Sequence, residues 1–202
     1  TMKTFFTATI ASALLAGIAA AGTVNFSNFA STWEIQASGT PISGGFVAVG
    51  TGSGVDFSDP GAAQTALAAN FTQFGDATDF GGAAAFNLNG FFSGVASGDG
   101  GSAAFSGKPI WLVGGDGSGI ADSSHLFVID TGATFEADAP LFAASVDVNS
   151  GTPALGAAGG TAVNAGVAGA FQAVPVGVVI PEPGVSVLAL FAAGFLALRR
   201  RR

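Results

Sequence analysis

Short apolar runs separated by glycine-rich turns dominate the middle of the chain. Residues 45–49, 109–113 and 125–129 are each almost entirely apolar and lie between segments that contain Gly, Asp or Ser. Runs of this length with such flanks indicate buried β-strands. The second and third runs are joined only by the loop 114–124, so we expect them to pair as antiparallel neighbours.

Weaker patterns extend the β prediction to both sides of these runs. Partial alternation predicts one or two short strands within 24–37, a strand within 83–95 that contains an Asn-Gly turn, and a further strand over 141–148. Residues 151–180 are rich in Gly and Ala, and we interpret them as a spacer or as the last strand.

One segment has the pattern of a helix. Asp59 followed by Pro60 is typical of an N-cap and the first helical position, and the segment 61–74 continues with helical spacing. Three large apolar residues fall on one face of this helix: Leu67, Phe71 and Phe74. The fold class predicted for the central part is therefore mostly β, an antiparallel β-sandwich-like domain with one α-helix.

The N-terminal residues have the pattern of a secretory signal peptide. Lys3 precedes an apolar run over 5–16, and small residues follow at Ala19 and Ala21. This arrangement predicts a signal helix that signal peptidase removes, with the signal peptide covering 1–21. Export through the Sec translocon is the expected route.

The C-terminal residues have the pattern of a membrane anchor. Residues 184–198 carry no charge, and as a helix they would span roughly 22 Å, somewhat short of the ~30 Å hydrocarbon core. Snorkelling arginines and local thinning compensate for the difference. The block that follows stays cytoplasmic under the positive-inside rule and stops transfer: Arg199, Arg200, Arg201 and Arg202. We therefore expect a C-terminal transmembrane helix.

Pro181, Glu182 and Pro183 stand directly before this anchor. A Pro-Glu-Pro motif, an apolar helix and a terminal arginine cluster, in this order, resemble the PEP-CTERM sorting signal, here 181–202. The resemblance implies that the tail holds the exported protein at the inner membrane until an exosortase-type enzyme processes it. It also implies delivery to the cell surface or the extracellular matrix and association with exopolysaccharide. The arrangement of residues 107–113, the run that begins at His125 and residues 134–138 loosely resembles the middle of uncharacterised exported PEP-CTERM proteins, notably those of Verrucomicrobia.

Charge is distributed unevenly along the chain. Between residues 34 and 147 a single cation, Lys108, stands against twelve carboxylates, which gives this part a net charge of −11. An acidic surface of this kind repels nucleic acid, so we expect no nucleic-acid partner. The chain has no cysteine, which excludes disulfides, thiolate nucleophiles and cysteine metal sites. Residues 22–150 are interpreted as the β-rich extracytoplasmic domain.

Asp130, Thr131 and Gly132 follow a buried run and match the motif of aspartic proteases. That chemistry requires two aspartates that share one proton. The chain contains no second copy of the motif, so only a homodimer would complete the site. The alternative interpretation is a strand that enters an Asp-Gly turn, with Gly at positive φ.

Other residues support only weak hypotheses of chemistry. His125 is the single histidine and lies beside Asp122, Ser123 and Ser124, but neighbours along a strand point in different directions. We interpret His125 as a structural or surface residue. Asp116 and Asp122 are weak candidates for a calcium-binding loop. Exposed Phe pairs, such as the one at 91–92, could stack on sugars, although core packing is the favoured interpretation.

The sequence therefore predicts a non-enzymatic, exported surface or matrix protein with no cofactor. The alternatives are a carbohydrate- or calcium-binding module and, less favoured, a dimeric aspartic protease that uses Asp130.

Overall fold

The computed structural model describes residues 22–30, 32–136 and 142–177. These residues form a mostly β protein with one α-helix, α1, at Pro60–Asn70. The strands in chain order are β1 Gly22–Ser27, β2 Trp33–Ala37, β3 Thr40–Pro41, β4 Gly44–Thr51, β5 Thr72–Gln73, β6 Thr78–Phe80, β7 Ser93–Gly98, β8 Pro109–Gly115, β9 His125–Thr134, β10 Ala143–Asp147, β11 Thr152–Leu155, β12 Ala157–Ala158 and β13 Gly169–Pro175.

The strands form two sheets in a sandwich-like arrangement. The smaller sheet has the order β10-β1-β7, and the larger has the order β3-β2-β13-β9-β8-β4-β5, with β11, β12 and β6 paired to β9, β13 and β4. The coarse prediction of a mostly β, sandwich-like domain is confirmed. Two pairings are parallel, β1 with β10 and β2 with β13, and the sequence did not predict them.

The main core lies between the two sheets and is filled by phenylalanine rings. Phe127 on β9 lies at its centre, with ring-centroid distances of 6.2 Å to Phe80, 6.4 Å to Phe92 and 6.0 Å to Phe171. All four side chains are buried. Since the chain has 19 Phe and no Tyr, nearly all the aromatic volume of the core is free of hydrogen-bonding groups.

A second core lies on the opposite face of the larger sheet. Leu67 of α1 packs there with Val113, Leu126 and Val128 of β8 and β9. The side-chain amide of Gln64 also donates to the backbone carbonyls of the β8–β9 loop, for example to Ser123 O at 2.8 Å. The helix therefore fixes the loop that joins the two central strands.

The start of α1 is as predicted, and its end is not. Asp59 is the N-cap, and its Oδ1 accepts from the amides of Gly61 and Ala62 at 2.9 and 3.2 Å. The helix ends at Asn70, four residues earlier than the spacing of Phe71 and Phe74 predicted. Thr72–Gln73 pairs with β4 instead, because the edge of β4 offers backbone partners to an extended chain.

The three apolar runs are strands, and the antiparallel pairing of β8 and β9 is confirmed. Several other elements differ from the prediction. Within 83–95 the chain forms a 3-10 turn at Ala83–Ala85, and a strand begins only at Ser93. The segment interpreted as a spacer contains β11 and β12, which pair with β9 and β13. Residues 169–175 form a last strand, as one of the two interpretations has it.

Both predicted terminal helices lie outside the described residues, and so do Ala19, Ala21, Pro181, Glu182, Pro183 and the arginine block 199–202. Within the part of the chain that the structure describes, no helix is long and apolar enough to cross a membrane.

Candidate functional site

The loop between β8 and β9 places a carboxylate beside the only histidine of the chain. β8 ends at Gly115 and β9 begins at His125, and the two strands pair antiparallel up to this loop. Asp116 therefore lies next to His125, and its amide donates to the His125 carbonyl at 3.3 Å. Gly117 keeps the loop tight, because a Cβ there would lie 2.5 Å from the Asp122 backbone.

The carboxylate of Asp116 orients the imidazole. Its Oδ1 accepts from the amides of Ser124 at 2.7 Å and His125 at 2.9 Å, and its Oδ2 lies 2.9 Å from His125 Nδ1. Burial by itself raises the pKa of Asp116, but the hydrogen bonds from His125 and Ser124 and the charge of the imidazole hold it below its ordinary value. The ionised carboxylate accepts from Nδ1–H, so the neutral imidazole has its lone pair on Nε2.

The hairpin between β2 and β3 brings a serine to the other side of the imidazole. Its loop consists of Ser38 and Gly39, both with positive φ, 51° and 81°, between the paired residues Ala37 and Thr40. Two positive φ values in a two-residue loop are typical of a type I′ turn. Ser38 Oγ lies 2.9 Å from Nε2 of His125.

β13 holds these two loops together. It runs parallel to β2, with Ala173 opposite Ala37, and its end pairs with the start of β9, with Pro175 opposite His125. The tip of the β2–β3 hairpin therefore lies against the first residue of β9. The Ser–His–Asp cluster, consisting of Ser38, His125 and Asp116, is thus set by the order of strands within one sheet.

A polar network on β2 and β13 continues from this cluster. The amide of Gly39 donates to Gln172 Oε1 at 3.3 Å, and Gln172 Nε2 donates to Gln36 Oε1 at 2.5 Å. Gln36 in turn donates to the carboxylate of Glu34. Gln36 and Glu34 are buried polar residues, so the network satisfies groups that water does not reach.

Glu34 is the acidic end of this network. Its carboxylate accepts from the amides of Val163 at 2.5 Å and Asn164 at 3.0 Å, and from the Asn164 side chain at 2.8 Å. Burial by itself raises the pKa of Glu34, but these hydrogen bonds and the one from Gln36 hold it below its ordinary value. Glu34 therefore fastens the segment around residue 163 to β2.

The Ser–His–Asp cluster has the parts of an activated nucleophile. A hydroxyl, a base within hydrogen-bond reach and a group that orients the base are the recurring elements of such sites. Ser38 is exposed, and 19% of the His125 side chain and 26% of the Asp116 side chain are accessible. A molecule from solution can therefore reach Ser38 Oγ.

The partners of His125 are not its neighbours along the chain. Ser123 is buried, and its hydroxyl donates to the Gly119 carbonyl at 2.8 Å. Asp122 accepts from the Ser118 hydroxyl at 2.7 Å. The sequence offered no signal for Ser38, because only the sheet brings it to His125 from 87 residues away.

Asp116 and Asp122, the weak candidates for a calcium-binding loop, have separate hydrogen-bond partners. Asp116 holds Ser124 and His125, whereas Asp122 binds Ser118. Across the described ranges, no group of three or more His, Asp or Glu side chains could hold a metal ion. An open cleft of about 350 Å³ lies beside the loop, between α1 and residues 118–122, and neither Ser38 nor His125 lines it.

Asp130 lies within β9 and not at its end. It is paired with Trp111 on β8 and with Thr152 on β11, and its Oδ1 accepts from the Gly132 amide at 3.1 Å. Gly132 has a φ of 72°, as the turn interpretation requires. The register against β8 shifts here, so the motif forms a bulge and the strand continues to Thr134.

The Phe pair at 91–92 is buried, which confirms core packing. Among the described residues, the exposed ring is Phe86, with 76% of its surface accessible, and it makes an edge contact with Phe29 at a centroid distance of 5.6 Å.

Comparisons of this chain with known protein families, with curated proteins and with solved structures found no match.

Proposed function

We propose that this chain is an exported protein whose two ends determine its destination. The signal peptide 1–21 directs it through the Sec translocon, and the PEP-CTERM-like tail 181–202 anchors it in the inner membrane. An exosortase-type enzyme then processes the tail and releases the β domain to the cell surface or the extracellular matrix. There it is a surface or matrix component associated with exopolysaccharide, a role that requires no catalysis.

The position of the folded domain within the chain supports this proposal. β1 begins at Gly22, directly after the proposed cleavage site at Ala21, and β13 ends at Pro175, a few residues before Pro181. Removal of both ends would therefore leave every strand within the described residues intact. It would also remove five of the six basic residues and leave a strongly acidic protein, a charge state that favours solubility.

Replacement of Pro181, Glu182 and Pro183 by alanine tests the proposal. We expect the variant to stay in the inner membrane with its tail attached, because the processing enzyme loses its recognition motif. The measurement is fractionation and immunoblotting of the full chain, with one label in the body and one in the tail. The hosts are bacteria with and without exosortase.

A Glu136→Gln variant is the control, because it removes an exposed carboxylate of the body and leaves the tail unchanged. It should be processed like the wild type. Normal removal of the tail in the triple-alanine variant would refute the proposal, and so would normal removal of the wild-type tail in the host without exosortase.

A further inference from the structure

We propose that Ser38 is a nucleophile activated by His125 and Asp116, and that this site hydrolyses carboxylic esters that carry a small acyl group. The proposed role at the cell surface does not depend on this activity, and neither proposal rests on the other.

The first argument is the geometry on both sides of the imidazole. Ser38 Oγ lies 2.9 Å from Nε2, and Asp116 Oδ2 lies 2.9 Å from Nδ1. Both distances fall within the range for a base that accepts from its nucleophile and is oriented by a third group. Asp116 is itself fixed by two backbone amides. The tautomer that it selects directs the lone pair of Nε2 at the serine hydroxyl.

The second argument is the backbone at the serine. Positive φ is unfavourable for residues other than Gly, and the first position of a type I′ turn prefers Asn, Asp or Gly. Ser38 occupies this position with a φ of 51°. The type I′ turn therefore explains the positive φ of Ser38 but does not explain why the residue is serine. The hydrogen bond to His125 does, because it requires a hydroxyl at this position. Nucleophilic serines of other hydrolases also stand on sharp, strained turns.

The third argument is a donor for the developing negative charge. The amide of the residue that follows the nucleophile commonly supplies one hydrogen bond to the oxyanion. Here that residue is Gly39, and its amide donates to an oxygen, Gln172 Oε1, over a long 3.3 Å. The oxygen of Gln172 thus occupies a position that an oxyanion could take. Because the bond from Gly39 is long, the amide can readily donate to the more strongly accepting oxyanion in place of Gln172.

The reaction follows from these positions. Ser38 Oγ attacks the ester carbonyl carbon while its proton moves to Nε2 of His125. The tetrahedral intermediate collapses, the carbon–oxygen bond to the alcohol breaks, and the alcohol leaves with the proton from Nε2. Water then attacks the acyl-serine, gives one proton to Nε2, and the carboxylic acid departs as Ser38 regains its hydrogen. The net change is one water consumed and one ester cleaved, with no oxidant or reductant.

The exposure of the site limits the substrate. Ser38, Gly39 and Thr40 are all exposed at the tip of the hairpin. A small acyl group carried on the outside of a larger molecule can reach Oγ there. A long acyl chain would gain nothing, because these exposed residues offer no apolar surface to bury it.

Covalent labelling by a fluorophosphonate probe tests the proposal on the full chain. The probe phosphonylates an activated serine and releases fluoride, and peptide mass spectrometry locates the adduct. We expect one adduct per chain, on Ser38, and none after heat denaturation. Ser38→Ala and Ser38→Gly should abolish labelling, and both should remain folded because the residue is at the surface. Ser53→Ala, which removes an exposed serine outside the Ser–His–Asp cluster, should label like the wild type.

Variants of the other two residues separate an active site from a structural hydrogen bond. His125→Gln should slow labelling at least ~100-fold, as expected for loss of a general base, and should flatten the pH profile of the labelling rate. Asp116→Asn should slow it similarly while circular dichroism shows a folded domain. Hydrolysis of p-nitrophenyl acetate should follow the same order of variants. The proposal is overturned if the folded wild type stays unlabelled while trypsin is labelled, or if Ser38→Ala is labelled at the wild-type rate.

Discussion

Glu34 shows how a single residue can hold a long segment in place. It lies on β2 between two residues of the main core, Trp33 and Ile35, and its own side chain faces the other side of the sheet. There it accepts hydrogen bonds from Val163 and Asn164. A buried carboxylate is tolerated only where donors replace the water it loses, and this segment supplies them.

Replacement of Glu34 by glutamine should lower the free energy of unfolding by about 2 kcal/mol, because Gln presents an NH₂ group to donors that need an acceptor. Urea denaturation at neutral pH measures this change. Asp56→Asn is the matched control, since Asp56 is exposed and accepts from the Ser58 amide in a local turn that Asn can also form. Equal stability of the Glu34→Gln variant and the wild type would contradict the role assigned to Glu34.

The same residue makes stability depend on pH. The pKa of Glu34 is lower in the folded state than its ordinary value, so the unfolded chain binds more protons between the two values. Its stabilisation is therefore complete above the unfolded pKa, about 4.3, and is lost as the pH falls through the folded pKa. Urea midpoints should fall more steeply below about pH 5 in the wild type than in Glu34→Gln. The pKa of Asp116 is also lowered by folding, so Asp116 adds the same pH dependence to the stability of the wild type and of the Glu34→Gln variant.

The sequence could not reveal these residues at the single-residue level. Glu34 alternates with apolar residues and looks like a solvent-facing position, because nothing in its neighbourhood shows that residues near 163 cover it. Ser38 looks like an ordinary turn residue for the same reason. Both depend on partners more than 80 residues away, which pattern and propensity do not report.

At the scale of elements, the ends of α1 show which signals are reliable. The N-cap at Asp59 is local chemistry between a carboxylate and two nearby amides, and it was predicted correctly. The C-terminal end depends on a competition between further helical turns and pairing of Thr72 with Thr51 on β4. In the structure, Thr72 pairs with the edge of the sheet and the helix does not continue. Phe74 consequently packs in the main core, beside Phe105 and Phe135, and not on the helix.

A pair of substitutions at Asp59 tests the capping of α1. Asp59→Ala should lower the free energy of unfolding by about 1 kcal/mol, because two amides of the first turn lose their acceptor. Asp59→Asn should remain close to the wild type, since Asn caps equally well. Thermal denaturation followed by circular dichroism distinguishes them. Identical melting temperatures for the Ala and Asn variants would show that the cap contributes nothing.

At the scale of the whole molecule, stability rests on the aromatic core between the sheets. Phe127→Ala should lower the free energy of unfolding by about 3–5 kcal/mol, since it leaves a cavity between Phe80, Phe92 and Phe171. Phe86→Ala is the matched control, with the same change of side chain at a position 76% exposed, and should shift stability by less than about 0.5 kcal/mol. Chemical denaturation of both variants checks the difference. Similar losses at the two positions would contradict this account of the core.

The parallel pairing of β2 with β13 joins two strands that are synthesised at well-separated times. Gln36 and Gln172 face each other across this pair and are 136 residues apart. Because a chain is synthesised N-terminus first at about 5–20 residues per second, β2 is made on the order of ten seconds before β13. β1 precedes its partner β10 by a similar interval. Both sheets therefore lack one of their strands until the C-terminal part of the domain has been synthesised.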